Sequence, residues 1–313
     1  MSEAQRIPEA ADQSAGERLE GELASATIED DGEELLVDLG QRWTTLSELG
    51  NTLPLAVGPD RSFSFRPRSL KLRAEIGERL RPYRQRETAT GLATYALAAS
   101  LATLQGRDVA ALKLDDTVAL LRQLPWSSVI HLTFRMQIEQ AGDDVLPLGP
   151  MRCTVCGRPQ ARATARLGDM RVRAYDRLDH LPELETELYD GLRFAGRTAQ
   201  VITLRPARWD FLLRLVDLDN PGQVTLAALR SAICRLDAHE GEVTPDEAAL
   251  GGLSWRDGEL LDAEHNLLSG GPTSVLPVQC QGHTWPVLYS WRSAGFFGQP
   301  RDPRSRRKPL RSR

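Results

Sequence analysis

The sequence predicts an α+β protein that is internally duplicated, each copy built from a short strand, several helices and a zinc-knuckle-like turn followed by a strand or hairpin. Three observations predict it. Stretches of alternating polarity are interspersed with stretches of helical apolar spacing, a set of landmarks recurs in the same order in both halves, and each half carries a late pair of metal-ligand residues with the same spacing. At 313 residues the chain also exceeds what one hydrophobic core usually supports, so two halves of one body or two domains are expected.

Residues 1–58 read as an acidic, flexible N-terminal segment. The first 34 hold eleven acids against Arg6 and Arg18 and few large apolar residues, a composition that buries too little to offset the entropy of ordering. Within the segment "ELLVDLGQRWTTLSEL" is amphipathic, and "GNTLPLAVGPDR" is a loop rich in Gly and Pro.

The first copy spans 59–180. "SFSFRPRSL" alternates as a strand does, and Pro67 ends it. "LKLRAEIGERLRPYRQRETATGLATYALAASLATLQG" carries apolar residues at helical spacing, interrupted by Pro82. "LDDTVALLRQL" follows with Asp115 or Asp116 as N-cap, and "WSSVIHLTFRMQIEQAG" reads as a helix ending at Gly142. The two-proline segment "DDVLPLGP" reads as a loop that delivers the chain to Cys153 and Cys156, and "ARATARLGDMRVRAY" beyond them reads as a hairpin.

The second copy spans 190–298. "QVITLRPARWDFLLRLVDL" echoes "SFSFRPRSLKLRAEIGERL", and "LSWRDGELLDAEHNLLSGG" echoes "LPWSSVIHLTFRMQIEQAG", with Trp255 answering Trp126. From Trp126 to Cys153 is 27 residues and from Trp255 to Cys280 is 25, with Val-Leu-Pro shortly before the cysteine in both. "DLDNPGQVTLAA" starts like a calcium loop, but Pro221 takes the fifth position and Ala228 the twelfth, where a bidentate Glu belongs, so it reads as a helix-ending turn. Residues 299–313 read as a basic, disordered tail.

Four cysteines are too few for a disulfide scaffold in so long a chain. Cys234, within the helical-looking "AALRSAICRL", reads as a buried apolar residue. Zinc takes four tetrahedral ligands from Cys and His, and a Cys-x-x-Cys turn supplies two of them. Cys280 and His283 repeat the spacing of Cys153 and Cys156, so the four complete a Cys3His site if the halves pack about an approximate two-fold axis. A closed site of this kind is structural. Two other readings stay open: no metal at all, or a redox pair. The redox reading is weakened because a thioredoxin-type motif opens a helix after a strand, and here a Pro-rich segment precedes. Among the other histidines, His131 reads as a structural residue within an apolar helix, and His180, His239 and His265 as exposed.

No phosphate-binding loop, dinucleotide fingerprint, nucleophile elbow or zinc-protease motif occurs, and adjacent acid pairs such as Asp143–Asp144 point in different directions. The protein is therefore expected to be no enzyme. No apolar run reaches the roughly 18 to 20 residues of a membrane helix, and the acidic start lacks the basic and apolar regions of a secretory signal. No membrane partner and a cytoplasmic location are expected. A net charge of −4, and knuckles without interleaved aromatic and basic residues, argue against nucleic acid.

A helix introduced by "LPW", then "RCTVCG", then alternating strand residues, and finally "CQGHTWPVLYSWRSAGFF", resembles the baseplate assembly chaperones and adaptors of contractile-tailed phages and phage-tail-like contractile injection systems. Gly282, His283, Trp285, Phe296 and Phe297 match the closing motif of such proteins, while the second knuckle has one cysteine where two are expected. The resemblance implies a structural or assembly protein whose partners are baseplate or hub proteins. Trp291, Phe296 and Phe297 are candidates for a partner anchor, or close the core of the second copy.

Overall fold

The computed structural model describes residues 40–290, apart from 57, 142–143, 177–179, 216–220, 270–272 and 281. It is α+β, with several antiparallel sheets among its helices. The described residues from Arg42 onward belong to one compact unit.

The chain enters through β1 (Gln41–Thr45) and the short α1 (Leu46–Leu49), where Thr45 and Glu48 cap each other reciprocally. Leu46, Leu53, Leu55 and Ala56 are buried. The expected flexible segment 1–58 is thus corrected at its end: once the acidic run stops, residues 41–56 have enough apolar surface to join the core.

β2 (Phe63–Phe65) follows, then α2 (Leu70–Leu80) and α3 (Ala89–Ser100), capped by Ser69 and Thr88. The predicted break at Pro82 falls in the turns between them. β3 (Leu101–Leu104) and β4 (Arg107–Asp108) lead to α4 (Leu114–Gln123) and α5 (Trp126–Met136). The N-cap of α4 is Lys113 rather than an aspartate. Asp115 and Asp116 instead lie in the first turn, where their charge meets the positive end of the helix dipole. Asp115 also accepts hydrogen bonds from Tyr83 and Tyr95, both at 3.0 Å. Trp126, Val129 and Leu132 form the buried stripe of α5, at helical spacing.

Two local predictions fail between 145 and 175. The "VLPLGP" segment is no loop but part of β5 (Val145–Arg152), paired with β6 (Pro159–Arg166) in a two-stranded sheet. Register shifts between Pro147 and Met151 absorb its prolines. The segment after the knuckle is no hairpin: after the 3-10 turn Leu167–Asp169, β7 (Arg171–Tyr175) leaves β6 and pairs with β11 (Thr273–Cys280). Buried Leu167 and Met170 hold that crossing point.

The second half contains β8 (Leu184–Phe194), β9 (Arg197–Leu204), α6 (Trp209–Leu215), α7 (Pro221–Ala232), β10 (Ile233–Leu236), α8 (Glu247–Gly251), α9 (Trp255–Leu268), β11 and β12 (His283–Ser290). Cys234 lies on the strand β10 and not on a helix, since the β-branched Ile233 ends α7; it is buried as expected. The calcium-like Asp217 and Asp219 lie outside the described residues, and Pro221 opens α7 at a position that needs no N–H.

Element for element, the halves run in the same order from β2 to β6 and from β9 to β12, apart from the short β4 and the π-helical turn Gln137–Ala141 after α5. The match extends to individual hydrogen bonds. Arg66 N donates to Ser100 O and Arg205 N to Ala232 O, each at 2.8 Å, one residue past the strand in both halves. Gln105 N donates to Ser62 O as Asp237 N does to Val201 O. The β2–β3 and β9–β10 ladders each skip one residue, Ala102 and Cys234 respectively, and each skipped carbonyl accepts from a valine, Val109 and Val243, at 2.9 Å. β8 edges β9 as Thr52 edges Ser62, so the second run of elements begins at Leu184, earlier than the predicted 190.

His265 is fully buried, contrary to expectation. Its ring lies 5.3 Å from that of Trp126, and neither ring nitrogen has a partner among the described residues. His131 is buried as well, with Nε2 3.3 Å from Gly50 O. Burial lowers the pKa of His265 to about 4 and of His131 to about 3. Both therefore fold neutral, while the unfolded chain takes up protons below about 6.5. Stability is expected to fall as pH drops from about 6.5 toward 4, by up to ~1.4 kcal/mol per unit for each histidine. In urea titrations across that range, His265→Met should halve this slope and raise stability at pH 7; an unchanged slope would refute the assignment.

Candidate metal centre

Two tight turns carry the four predicted ligands. Between β5 and β6, Gly157 N donates to Cys153 O at 2.8 Å and Cys153 N to Arg158 O at 3.0 Å, which folds the turn over the Cys153 carbonyl. The reversal requires a left-handed residue, and Gly157 supplies it at φ +68°. Between β11 and β12, Cys280 and His283 are the last paired residues of the ladder. Directly paired residues project from one face of an antiparallel ribbon, so Cys-x-x-His presents both side chains on the same side.

The fold brings these turns together. One ligand atom each from Cys153, Cys156, Cys280 and His283 lie within 4.8 Å of one another, and this cluster can hold a metal ion. The Cys156 and Cys280 sulfurs are 3.8 Å apart. A tetrahedral zinc with Zn–S bonds of about 2.3 Å has ligand–ligand edges of about 3.8 Å, so that spacing fits one ion. His283 Nε2 is sequestered from solvent without a hydrogen-bond partner among the described residues, which leaves a ring nitrogen for a metal. Cys153 and Cys280 are buried, His283 is half-buried and Cys156 is exposed. The site thus sits at the edge of a core, with one ligand facing solvent.

Both hairpins contribute to that core. Leu146, Ala163 and Ala165 come from one, Leu276, Val278 and Trp285 from the other, and Phe134, Leu167 and Met170 fill the space between. Gln160 Nε2 donates to Gln279 O at 3.1 Å, a polar tie between the two ribbons. Gln160 was not singled out by the sequence: a glutamine at the start of a strand has no local signature, and only the packing of β6 on β11 gives it a role.

Electrostatics favour a cation here. Burial opposes ionisation of Cys153, but the backbone N–H groups of Cys156 and Val155, with the Cys156 and Cys280 thiols, outweigh it and bring its pKa down to about 7. At Cys280 the Gln160 amide favours the thiolate, yet burial and the neighbouring thiols prevail and the pKa rises. One thiolate forms readily and resists the next, a conflict that a divalent ion removes.

Cys234 lies apart from the cluster, its thiol donating to Thr203 O at 3.3 Å. Trp291, Phe296 and Phe297, the candidate anchor, lie outside the described residues. A separate cavity of about 560 Å³ between α3, α4 and α6 is lined by Glu87, Asp115, Arg122, Arg208 and Asp210. Its Tyr95 is a hydrogen-bond donor and no general base near neutrality, because burial and Asp115 push its pKa up to about 12. No helix among the described residues is long and apolar enough to cross a membrane. No protein family matches this chain by its sequence profile, and no curated protein or solved structure is significantly similar to it.

Proposed function

We propose that this chain is a non-enzymatic structural or assembly protein in which one zinc ion staples together two copies of a duplicated unit. The observation that carries the proposal is the donor set: three thiols and an imidazole from two hairpins, close enough for one ion. Four protein ligands leave no open position for substrate or water, which is the arrangement of structural zinc. A sulfur-rich tetrahedral site also suits zinc better than the oxygen-seeking magnesium, calcium or manganese. The matched element order of the halves supports a duplication.

The resemblance of "LPW", "RCTVCG" and "CQGHTWPVLYSW" to baseplate assembly chaperones supplies the biological setting. In this reading the protein acts in the cytoplasm on baseplate or hub subunits of a contractile injection system, and the staple fixes the surfaces it offers them.

Elemental analysis of the native chain is expected to give one zinc per molecule, and Cys280→Ala should release it as completely as Cys156→Ala. Zinc retained by the Cys280 variant would overturn the shared site. For the setting, deletion in a particle-producing cell should leave tails without assembled baseplates; normal particles would refute it.

A further inference from the structure

The two halves meet at a second place, away from the metal ligands. Pro125 forms an antiparallel bridge with Arg208. Trp126 N donates to Ala207 O at 3.0 Å and Trp209 N to Leu124 O at 2.9 Å. This clasp leaves Trp126 3% and Trp209 1% exposed, and the Trp209 indole N–H donates to Thr94 Oγ1 at 3.0 Å.

Each side of the clasp has a counterpart in the other half. α9 begins at Trp255 after Leu253-Ser254, as α5 begins at Trp126 after Leu124-Pro125. α2 begins at Leu70 four residues after Arg66, as α6 begins at Trp209 four residues after Arg205. Both counterparts are bare: Leu70 is 84% and Trp255 83% exposed. Neither backbone N–H has a partner among the described residues. The clasp is therefore heterologous, made once within the chain and leaving one unused side in each half.

We propose that a second copy of this chain completes it. The Arg68–Leu70 segment of one copy docks on the Leu253–Trp255 turn of the next, with Leu70 N donating to Leu253 O and Trp255 N donating to Arg68 O. The substitutions between the halves are complementary. Thr94, which receives the Trp209 indole, corresponds to Leu226, an apolar neighbour for the apolar Leu70. Asp210 corresponds to Lys71, and Val118 on the receiving side to Glu247. Exposed Arg68, Lys71 and Arg73 flank Leu70, whereas exposed Asp246, Glu247 and Glu259 flank Trp255, and the exposed cation beside it, Arg256, stacks on the Tyr189 ring. Glu247 also faces Arg230 at 3.7 Å, an exposed pair that a closer lysine can replace. A heterologous contact repeated from chain to chain forms a ring where its rotation closes and a filament where it does not.

Sedimentation velocity on the full, metal-loaded chain tests this. The wild type should associate with rising concentration, and Leu70→Asp or Trp255→Asp should each weaken association at least about tenfold. Mixed together, the two variants should form a 1:1 dimer, because one keeps its Trp255 turn and the other its Leu70 segment. Both sites are exposed, and circular dichroism checks that the variants fold. If either does not, Lys71→Glu should weaken association and added Glu247→Lys should restore it. A wild type still monomeric at about 1 mM, association untouched by the variants, or no dimer on mixing would each overturn the proposal.

Discussion

Chelating the zinc proposed for the Cys3His cluster is expected to unfold the region around the two hairpins while the other two cores stay folded. The candidate ligands Cys153 and Cys280 belong to one buried cluster with Leu167, Met170, Leu276, Val278 and Trp285. Most of the other core residues form two further clusters, one centred on α3, α4 and α5 and the other on β8, β9 and α9. An ion that binds the folded state at about 1,000 times its Kd adds ~4 kcal/mol, all of it lost to a chelator. Amide exchange should therefore accelerate in residues 145–175 and 273–290 and hold in 89–136 and 184–268. No change anywhere would mean that the cluster carries no stabilising ion. Uniform acceleration would mean that the three cores unfold as one.

Asp257→Ala should destabilise the fold by about 2 to 3 kcal/mol. Asp257 is fully buried in the first turn of α9, which Ser254 caps. Its carboxylate accepts the backbone N–H groups of Tyr189, Asp190 and Gly191 at 2.8, 3.0 and 3.2 Å. Those residues form the irregular stretch of β8 where the ladder to β9 is interrupted, so no strand partner can take the donors over. Gly191 stands there at φ +84°, with Ala199 O only 2.8 Å from where a Cβ would sit. Alanine leaves three part-buried donors without their acceptor; Asn, which keeps one acceptor oxygen, should cost less. Urea denaturation measures both, and a loss for Asp257→Ala below about 1 kcal/mol would show that water reaches the bulge.

Much of this was legible in order and kind. Arg-Pro after a strand, a tryptophan opening a helix and a Cys-x-x-(Cys/His) turn are local signals, and the elements they mark exist where the landmarks stand. The misreadings share one cause. Prolines in "VLPLGP" argued for a loop, but a two-stranded ribbon with register shifts has places where no N–H is needed. "AALRSAICRL" reads as one helix because a strand of four residues is too short to show its own period. His265 sits among acids and polar residues in the sequence, yet faces Trp126 from the other half. Its burial is a contact across 139 positions that no local pattern encodes.

What the sequence by itself determined is chemical inventory and local rhythm: which residues can ligate, where helices start, and that one set of landmarks occurs twice. These depend on neighbours a few positions apart, where spacing is set by backbone geometry. What only the tertiary structure decided is which repeated surfaces meet. It placed Cys280 beside Cys156 across 124 positions, and it covered Trp126 and Trp209 while leaving Trp255 and Leu70 bare. The reason is physical: the contact made once within the chain covers Trp126 and Trp209 and no more, so residues in like sequence positions differ in burial through the packing rather than through their own chemistry.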